Sequence, residues 1–427
     1  MSSSLKQQTG RRIGFVSTRF EGTDGVSLES AKWAEVLERL GHTCFYFAGK
    51  CERPPERSRV VPEAFFQHPE IGRIHANIFG SDRRSPEISD LAQRLKGKFK
   101  LDLRQFVDDF SIEWLIVENA LSIPLNLPLG LAITEFIAET CFHTIAHHHD
   151  FYWERDRFLV NCGWDYIHGN FPPRFPTIHH VVINSQAAER LSLRTGISSH
   201  VVPNVMDFEH PPPPPDAYTC DVRPALGMTD DELLFLQPTR VVQRKGIEHA
   251  IELIDRLGLK ARLVISHASG DEGNAYEKRV RAFADRLGVA TDFEARCISS
   301  RRGRTADGRK IYSLADVYQC ADLVTYPSTY EGFGNAFLEA VYYRRPIVVN
   351  NYSIFASDIK PKGFRVIEFD GFISDETVRQ TREVLANKKL AREMAEKNYQ
   401  LAKRHYSYSM LERRLETLLA ECFGVPD

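Results

Sequence analysis

The stretch Tyr330-Glu331-Gly332-Phe333-Gly334-Asn335-Ala336-Phe337-Leu338-Glu339-Ala340 sets two carboxylates, Glu331 and Glu339, around a glycine-containing segment. It follows the apolar run Asp322–Tyr326 and Pro327-Ser328, and it precedes a second run, Pro346–Asn350. That order predicts strand, loop, helix and strand. Glycines leave backbone N–H groups uncovered where a helix begins, a place suited to phosphate. Carboxylates accept hydrogen bonds from hydroxyls. Together they suit a ligand with both phosphates and hydroxyls, such as a nucleotide sugar.

Other loops carry groups of matching chemistry. Pro238-Thr239-Arg240-Val241-Val242-Gln243-Arg244-Lys245-Gly246 follows the run Leu233–Gln237. Arg240 at a strand end and Lys245 at a helix start would neutralise a diphosphate and stabilise it as a leaving group. A helix start with solvated basic residues is the alternative. Thr23-Asp24-Gly25 follows the first strand, with Gly25 at a helix start, where a plain turn would look similar. Ala146-His147-His148-His149-Asp150 ends another strand. His147 and His149 share a strand face, which raises a metal reading, but no further ligand cluster is visible. For His147 and His148 a buried structural role is the stronger alternative. Tyr152-Trp153-Glu154-Arg155 comes next, with rings and charges suited either to a sugar face or to a surface helix start. The basic stretch Arg301-Arg302-Gly303-Arg304 with Arg309-Lys310 could meet an acceptor phosphate, although a solvated loop is the favoured reading.

These loops need strands to hold them. Arg12–Ser17, Thr43–Ala48, Trp114–Val117, Phe142–Ala146, His180–Asn184 and His200–Val202 read as strands, with helices between. Val26, Leu28, Ala31, Ala34, Leu37 and Leu40 recur at helical spacing after the first strand, and Gly41 stops that helix. After Pro211–Pro215 the alternation resumes with Leu233–Gln237, a helix to Leu257, Ala261–Ser266 and a helix over Tyr276–Leu287. Asp375–Cys422 reads as helical throughout. Alternation of this kind implies parallel sheets, here α/β, with ligands at the carboxyl ends of strands. We expect two doubly wound, Rossmann-like domains facing a central cleft, joined by the stiff proline stretch. The expected divisions are 1–210, 211–395, and a helical segment 396–427 packing back on the first domain.

Composition narrows the class. At 427 residues the chain is too long for one compact core. A formal net charge of −2 argues against bulk binding to nucleic acid or an anionic membrane. No apolar run approaches the roughly 20 residues of a membrane span, and Met1–Thr9 lacks the apolar core of a signal peptide. Eight scattered cysteines without a C-x-x-C pair suit reduced thiols in a cytoplasmic protein.

Arg240 with Lys245-Gly246, Pro327-Ser328, and Glu331-Gly332-Phe333-Gly334 with Glu339 after seven intervening residues resemble the retaining glycosyltransferases of family 4, which have the GT-B fold. Pro203-Asn204 with Asp207 is similar to the segment that ends the family's first domain. The resemblance implies a metal-independent hexosyltransferase without a cofactor, and no D-x-D pair stands in a plausible metal-binding loop. It implies that Arg240 and Lys245 hold the donor diphosphate and that Glu331 contacts sugar hydroxyls. Gly332 and the amides around Phe333, Gly334 and Asn335 would meet phosphate or sugar, and Glu339 the ribose hydroxyls. His149 would face the donor sugar, and Gly25 would approach the donor phosphates. Thr23, Asp24, Asp150, Tyr152 and Arg155 would lie toward the acceptor. Retention would proceed by front-face substitution.

Two subfamilies fit a small soluble acceptor. One resembles sucrose-phosphate synthases, which move glucose from UDP-glucose to fructose 6-phosphate and make sucrose 6-phosphate. The chain reads Glu331-Gly332 where a proline usually follows that glutamate. The other resembles enzymes that move mannose from GDP-mannose to glucosylglycerate or its phosphate. Both make compatible solutes, and the arginine-rich loops favour the first. A non-catalytic nucleotide-sugar binding protein is the reading from another class. Oligomeric state is not legible.

Overall fold

The computed structural model describes residues 10–22, 24–267, 275–293, 297–299 and 301–423. The chain divides into two compact units, Met1–Val205 with Tyr408–Asp427, and Met206–Ser407.

Unit 1 is built on a parallel sheet of β1 (Arg12–Val16), β2 (Thr43–Ala48), β3 (Ser58–Val60), β4 (Trp114–Glu118), β5 (Thr144–His148), β6 (Ile178–Val182) and β7 (His200–Val201). The spatial order is β3-β2-β1-β4-β5-β6-β7. The chain winds outward from β1 to β3, then restarts at β4 and winds the other way. The switch point therefore lies between β1 and β4, where their carboxyl ends open a crevice. Central strands of such a sheet are covered on both faces and read as unbroken apolar runs. All five residues of β5 are buried, including His147 and His148. The strand consequently begins and ends two residues later than the apolar pattern of Phe142–Ala146 predicts.

The Gly25–Arg39 helix starts on Asp24, whose carboxylate accepts from the amides of Val26 and Ser27. Its packed face differs from the expected one. Leu28 is exposed, while Ser27, Glu29, Ser30 and Trp33 are buried. Glu29 accepts from Val205 N and pairs with Lys32. A polar bond, together with the bulk of Trp33, sets the rotation of this helix.

In unit 2, β8 (Leu233–Gln237), β9 (Ala261–Ile265), β10 (Ala290–Phe293), β14 (Leu323–Tyr326), β15 (Ile347–Asn350) and β16 (Ile367–Phe369) form a second parallel sheet, ordered β10-β9-β8-β14-β15-β16. Its switch point lies between β8 and β14. Those two strands precede the Arg240–Lys245 and Glu331 loops. The intervening strands β11 (Ile298–Ser299), β12 (Gly303–Arg304) and β13 (Lys310–Ser313) form a small separate sheet.

Three details of organisation differ from expectation. The division falls at Val205/Met206 rather than after residue 210. Pro211–Pro215 lies inside unit 2 instead of between units, and Gln319 Nε2 donates to Pro213 O at 3.2 Å. The C-terminal stretch breaks at Asn387 and Ser407 into helices Asp375–Ala386, Lys388–Tyr406 and Tyr408–Phe423. Of the segment 396–427, only Tyr408–Asp427 belongs to unit 1. Residues 396–407 stay with unit 2, where Tyr399 Oη donates to Phe208 O.

Candidate active site

Two loops of unit 2 are stitched together beside its switch point. After β8 the chain makes a short turn, Gln243–Lys245, and reaches Gly246 at φ 56°. A Cβ there would lie 2.5 Å from Pro327 O, so only glycine allows the second loop to pack this closely. Thr329 N donates to Arg244 O at 2.9 Å. The result is that Lys245 Nζ donates to Glu331 Oε1, and Arg244 Nη1 stands 3.3 Å from Oε2. Lys245 and Glu331 are both buried. Burial pushes the Lys245 ammonium down from its ordinary pKa, with Glu331 opposing and Arg244 adding to the push. Burial also works against the Glu331 charge, but Lys245 and Arg244 outweigh it and hold the carboxyl below its usual range. Arg240 is exposed at the end of β8, and its charge helps depress both Lys245 and His267. Three cations and one carboxylate thus leave this loop pair net positive, a field suited to a diphosphate.

The rest of the Glu331 loop presents backbone. Phe333 turns its ring inward against Tyr406, and Phe333 O accepts from Tyr352 Oη at 2.9 Å. Gly334 sits at φ 119° immediately before the Asn335–Tyr342 helix, which has no side-chain cap. A ligand can therefore meet main-chain groups here, not the Phe333 side chain. Gly332 and Asn335 are half-buried beside it. Glu339, one turn into the helix, accepts from Tyr318 Oη at 2.9 Å. Tyr318 is itself buried and stacked on Tyr343.

At the switch point of unit 1, Ser17 Oγ donates to Glu118 O, tying the end of β1 to the end of β4. Glu118 faces His147 across the β4–β5 register. Its carboxylate lies 3.0 Å from His147 Nδ1 and 3.1 Å from His149 Nε2. Burial opposes the Glu118 charge, yet the two histidines hold its carboxyl down at about 2. Burial lowers His147, whereas for His149 the Glu118 bond overcomes burial and raises the pKa. These three groups lie within 4.8 Å of one another, and no fourth His, Cys, Asp or Glu joins them among the described residues. Direct hydrogen bonds account for their approach, so they read as a bonded triad. His148 is separate: its Nε2 meets His180 Nδ1 at 2.9 Å in a fully buried pair.

Asn119, at φ 59°, ties His149 to Asp150. Its Oδ1 accepts from His149 N at 2.7 Å and its Nδ2 donates to Asp150 Oδ1 at 3.0 Å. Arg155 Nε donates to the other Asp150 oxygen at 2.5 Å. Tyr152 is half-buried, its amide donating to Ser122 O. Asp24 both caps its helix and pairs with Arg19 at 2.9 Å. Gly25 is the exposed first residue of that helix, and Thr23 lies outside the described residues.

The structure thus brings Lys245 to Glu331, with Arg240 close by, and His149 to Asp150 and Arg155 through Asn119. Arg244, Tyr318, Glu118 and Asn119 escaped the sequence reading. Glu118-Asn119 at the end of an apolar strand was the available signal. In the basic stretch, Arg302 pairs with Asp216 and Asp316, Arg309 with Asp307, and Lys310 with Asp221. Those three cations are neutralised within the protein.

Comparison with known proteins places the chain among glycosyltransferases. Residues 308–401 match the family model for glycosyl transferases group 1. The chain is 30% identical to a mannosylglucosylglycerate synthase of Thermotoga maritima, over 94% of this chain and 98% of that protein. It is 31% identical to a mannosylglucosylglycerate synthase of Petrotoga mobilis, over 83% and 86% respectively. In fold it resembles a sucrose-phosphate synthase from Thermosynechococcus elongatus, with a TM-score of 0.64 at 13% identity, covering 97% of this chain and 99% of that one. No helix among the described residues is long and apolar enough to cross a membrane.

Proposed function

We propose, from the premise that this chain belongs to the GT-B glycosyltransferase family that includes the mannosylglucosylglycerate synthases, that it moves mannose from GDP-mannose to glucosylglycerate. The observation that carries the reading is nearly full-length identity at 30% to a protein named for that product. The sucrose-phosphate synthase likeness is one of fold alone, so glucose transfer to fructose 6-phosphate takes second place. Ion pairs at Arg302, Arg309 and Lys310 weaken the argument that favoured a phosphorylated acceptor.

The donor's diphosphate lies against Lys245, Arg240 and the amides around Gly334. Glu339 accepts from the ribose hydroxyls, a role its acceptor-only carboxylate suits. Glu331 positions sugar hydroxyls while holding Lys245 in place. As the bond from the sugar to the diphosphate breaks, negative charge grows on the leaving oxygen, where a preorganised cation counts most. The acceptor hydroxyl enters on the face the diphosphate leaves, and a diphosphate oxygen takes its proton. Configuration at the anomeric carbon is retained, and neither a metal ion nor a cofactor takes part. To the acceptor we assign Thr23, Asp24, Asp150, Tyr152 and Arg155, and to the donor phosphates Gly25. Partners are confined to the sugar nucleotide and the small acceptor, and the setting is cytoplasmic.

The test pairs GDP-mannose, UDP-glucose and ADP-glucose with glucosylglycerate and fructose 6-phosphate, with products identified by mass spectrometry. Anomeric coupling in the NMR spectrum of the product reads the stereochemistry. Mannosylglucosylglycerate with the α linkage of the donor is expected. Turnover only with fructose 6-phosphate overturns the reading.

A further inference from the structure

Glu118 closes β4 with a carboxylate that is 0% exposed. Its position on the β4–β5 register, with alternation along the strand, sets both His147 and His149 against it. His147 is wedged in place, its ring stacked 4.2 Å from Trp33. His149 is held twice, through its ring at 3.1 Å from Glu118 and through its amide at 2.7 Å from Asn119 Oδ1. An ionised carboxylate only accepts, so the His149 nitrogen facing it must carry a proton. That nitrogen is Nε2, and Nδ1 makes no hydrogen bond among the described residues.

We propose that Glu118 is a positioning residue for the transfer reaction: it fixes His149 with Nε2–H turned into the protein, leaving Nδ1 as the ring atom that meets the donor sugar. The proposal rests on the reading of His149 as the donor-facing histidine. Glu118 from β4, Glu29 from the Gly25–Arg39 helix and Asp150 from the same loop all favour the charged ring, while burial disfavours it. His147 and His148 are the neighbouring titratable rings on β5, and both are pushed toward neutrality, chiefly by burial. The balance raises His149. An imidazolium held this way offers an Nδ1–H donor and a positive charge to the sugar as its diphosphate departs.

The decisive measurement needs no substrate. Long-range proton–nitrogen spectra of the full chain, labelled in histidine and assigned with His149→Gln, report which ring nitrogen of His149 is protonated and where it titrates. An Nε2–H tautomer titrating above about 6.5 is expected in the wild type, and Glu118→Gln should lower that midpoint by about one pH unit or more. An Nδ1–H tautomer, or an unmoved midpoint, overturns the proposal whether or not the donor is GDP-mannose. In assays with whichever donor and acceptor the wild type turns over, Glu118→Gln should cut kcat by about tenfold or more. KM for the donor should stay within about threefold, and Glu118→Gln with His149→Ala should be no worse than His149→Ala alone. Additive losses overturn it. If Glu118→Gln does not fold, the wild-type tautomer alone decides.

Discussion

Lys245 and Glu331, 86 positions apart in sequence, meet as an ion pair whose two side chains are each 10% exposed. Neither charge could sit there alone, because burial without a partner costs several kcal/mol per ion. Arg244 supports the carboxylate from the other side, at 3.3 Å. The cation assigned to the diphosphate is thus held ready by the carboxylate assigned to the sugar.

Lys245→Ala should therefore fail in two ways at once. Turnover should drop by about 10²–10³, the usual cost of one preorganised charge at a developing anion. Stability should fall by about 3 kcal/mol, the lower end for a broken buried pair, since Arg244 remains. Steady-state kinetics and urea unfolding read the two separately. Turnover within twofold of the wild type would remove Lys245 from the diphosphate site.

The glycines that permit the loop stitching make a backbone prediction. Gly246→Ala adds a Cβ 2.5 Å from Pro327 O at φ 56°, and Gly334→Ala adds one 2.3 Å from Tyr352 Oη at φ 119°. Each should cost about 1–3 kcal/mol in denaturant unfolding, and Gly334→Ala should also weaken donor binding by tilting the amides of the helix start. A Gly246→Ala protein as stable as the wild type would contradict the close packing of the two loops.

Much of this architecture was legible, and the failures have physical causes. Thr43–Ala48 and Leu233–Gln237 stand where the apolar runs put them, because fully covered parallel strands need continuous hydrophobicity. The Glu331 loop and its helix were legible from glycine and carboxylate spacing. His147 and His148 count as polar by composition, yet both end up inside β5, and the strand boundary shifted accordingly. Leu28 has the right spacing for a core residue, but Glu29 takes the buried position through its bond to Val205. Glu118 was hidden for a related reason. A carboxylate at a strand end reads as a solvated cap until two histidines from the neighbouring strand are known to meet it. The long Pro86–Asp109 helix carried a signal that went unread, with Ile88, Leu91, Leu95, Phe99, Leu103 and Phe106 buried along one stripe.

Tyr318→Phe isolates the support of Glu339. The phenol bond at 2.9 Å is lost while the ring stack on Tyr343 stays. KM for the donor should rise by about three- to tenfold, with kcat nearly unchanged, as befits a bond that orients a ribose acceptor and leaves the reacting atoms alone. Glu339→Ala should act in the same direction and more strongly. A fall in kcat with KM unmoved would exclude the ribose role.

Arg302 tests whether the basic stretch serves the fold. Its guanidinium bridges Asp216, Asp316 and Thr219, and Asp316 is almost fully buried. Arg302→Ala should lower the melting midpoint by about 3 °C while leaving KM for the acceptor at its wild-type value. An acceptor KM raised about tenfold at unchanged stability would show that this arginine binds substrate after all.

The buried His148–His180 pair sets an acid limit on stability. Burial depresses both groups, His148 well below its ordinary value and His180 to about 4. Between about 6.5 and that depressed value the unfolded chain binds protons that the folded chain refuses, so unfolding gains as pH falls. The stability these neutral rings contribute is complete above about pH 6.5. It is lost on acidification at up to about 1.4 kcal/mol per pH unit for each ring. His149, raised by Glu118, has the opposite sign: its contribution is complete below about 6.5 and is lost as pH climbs through its folded value. Urea midpoints at about pH 7.5 and about pH 5 should therefore separate for the wild type and draw together in His180→Asn, which keeps a polar partner for His148 without a titrating ring. An equal drop in both proteins would place the acid sensitivity elsewhere.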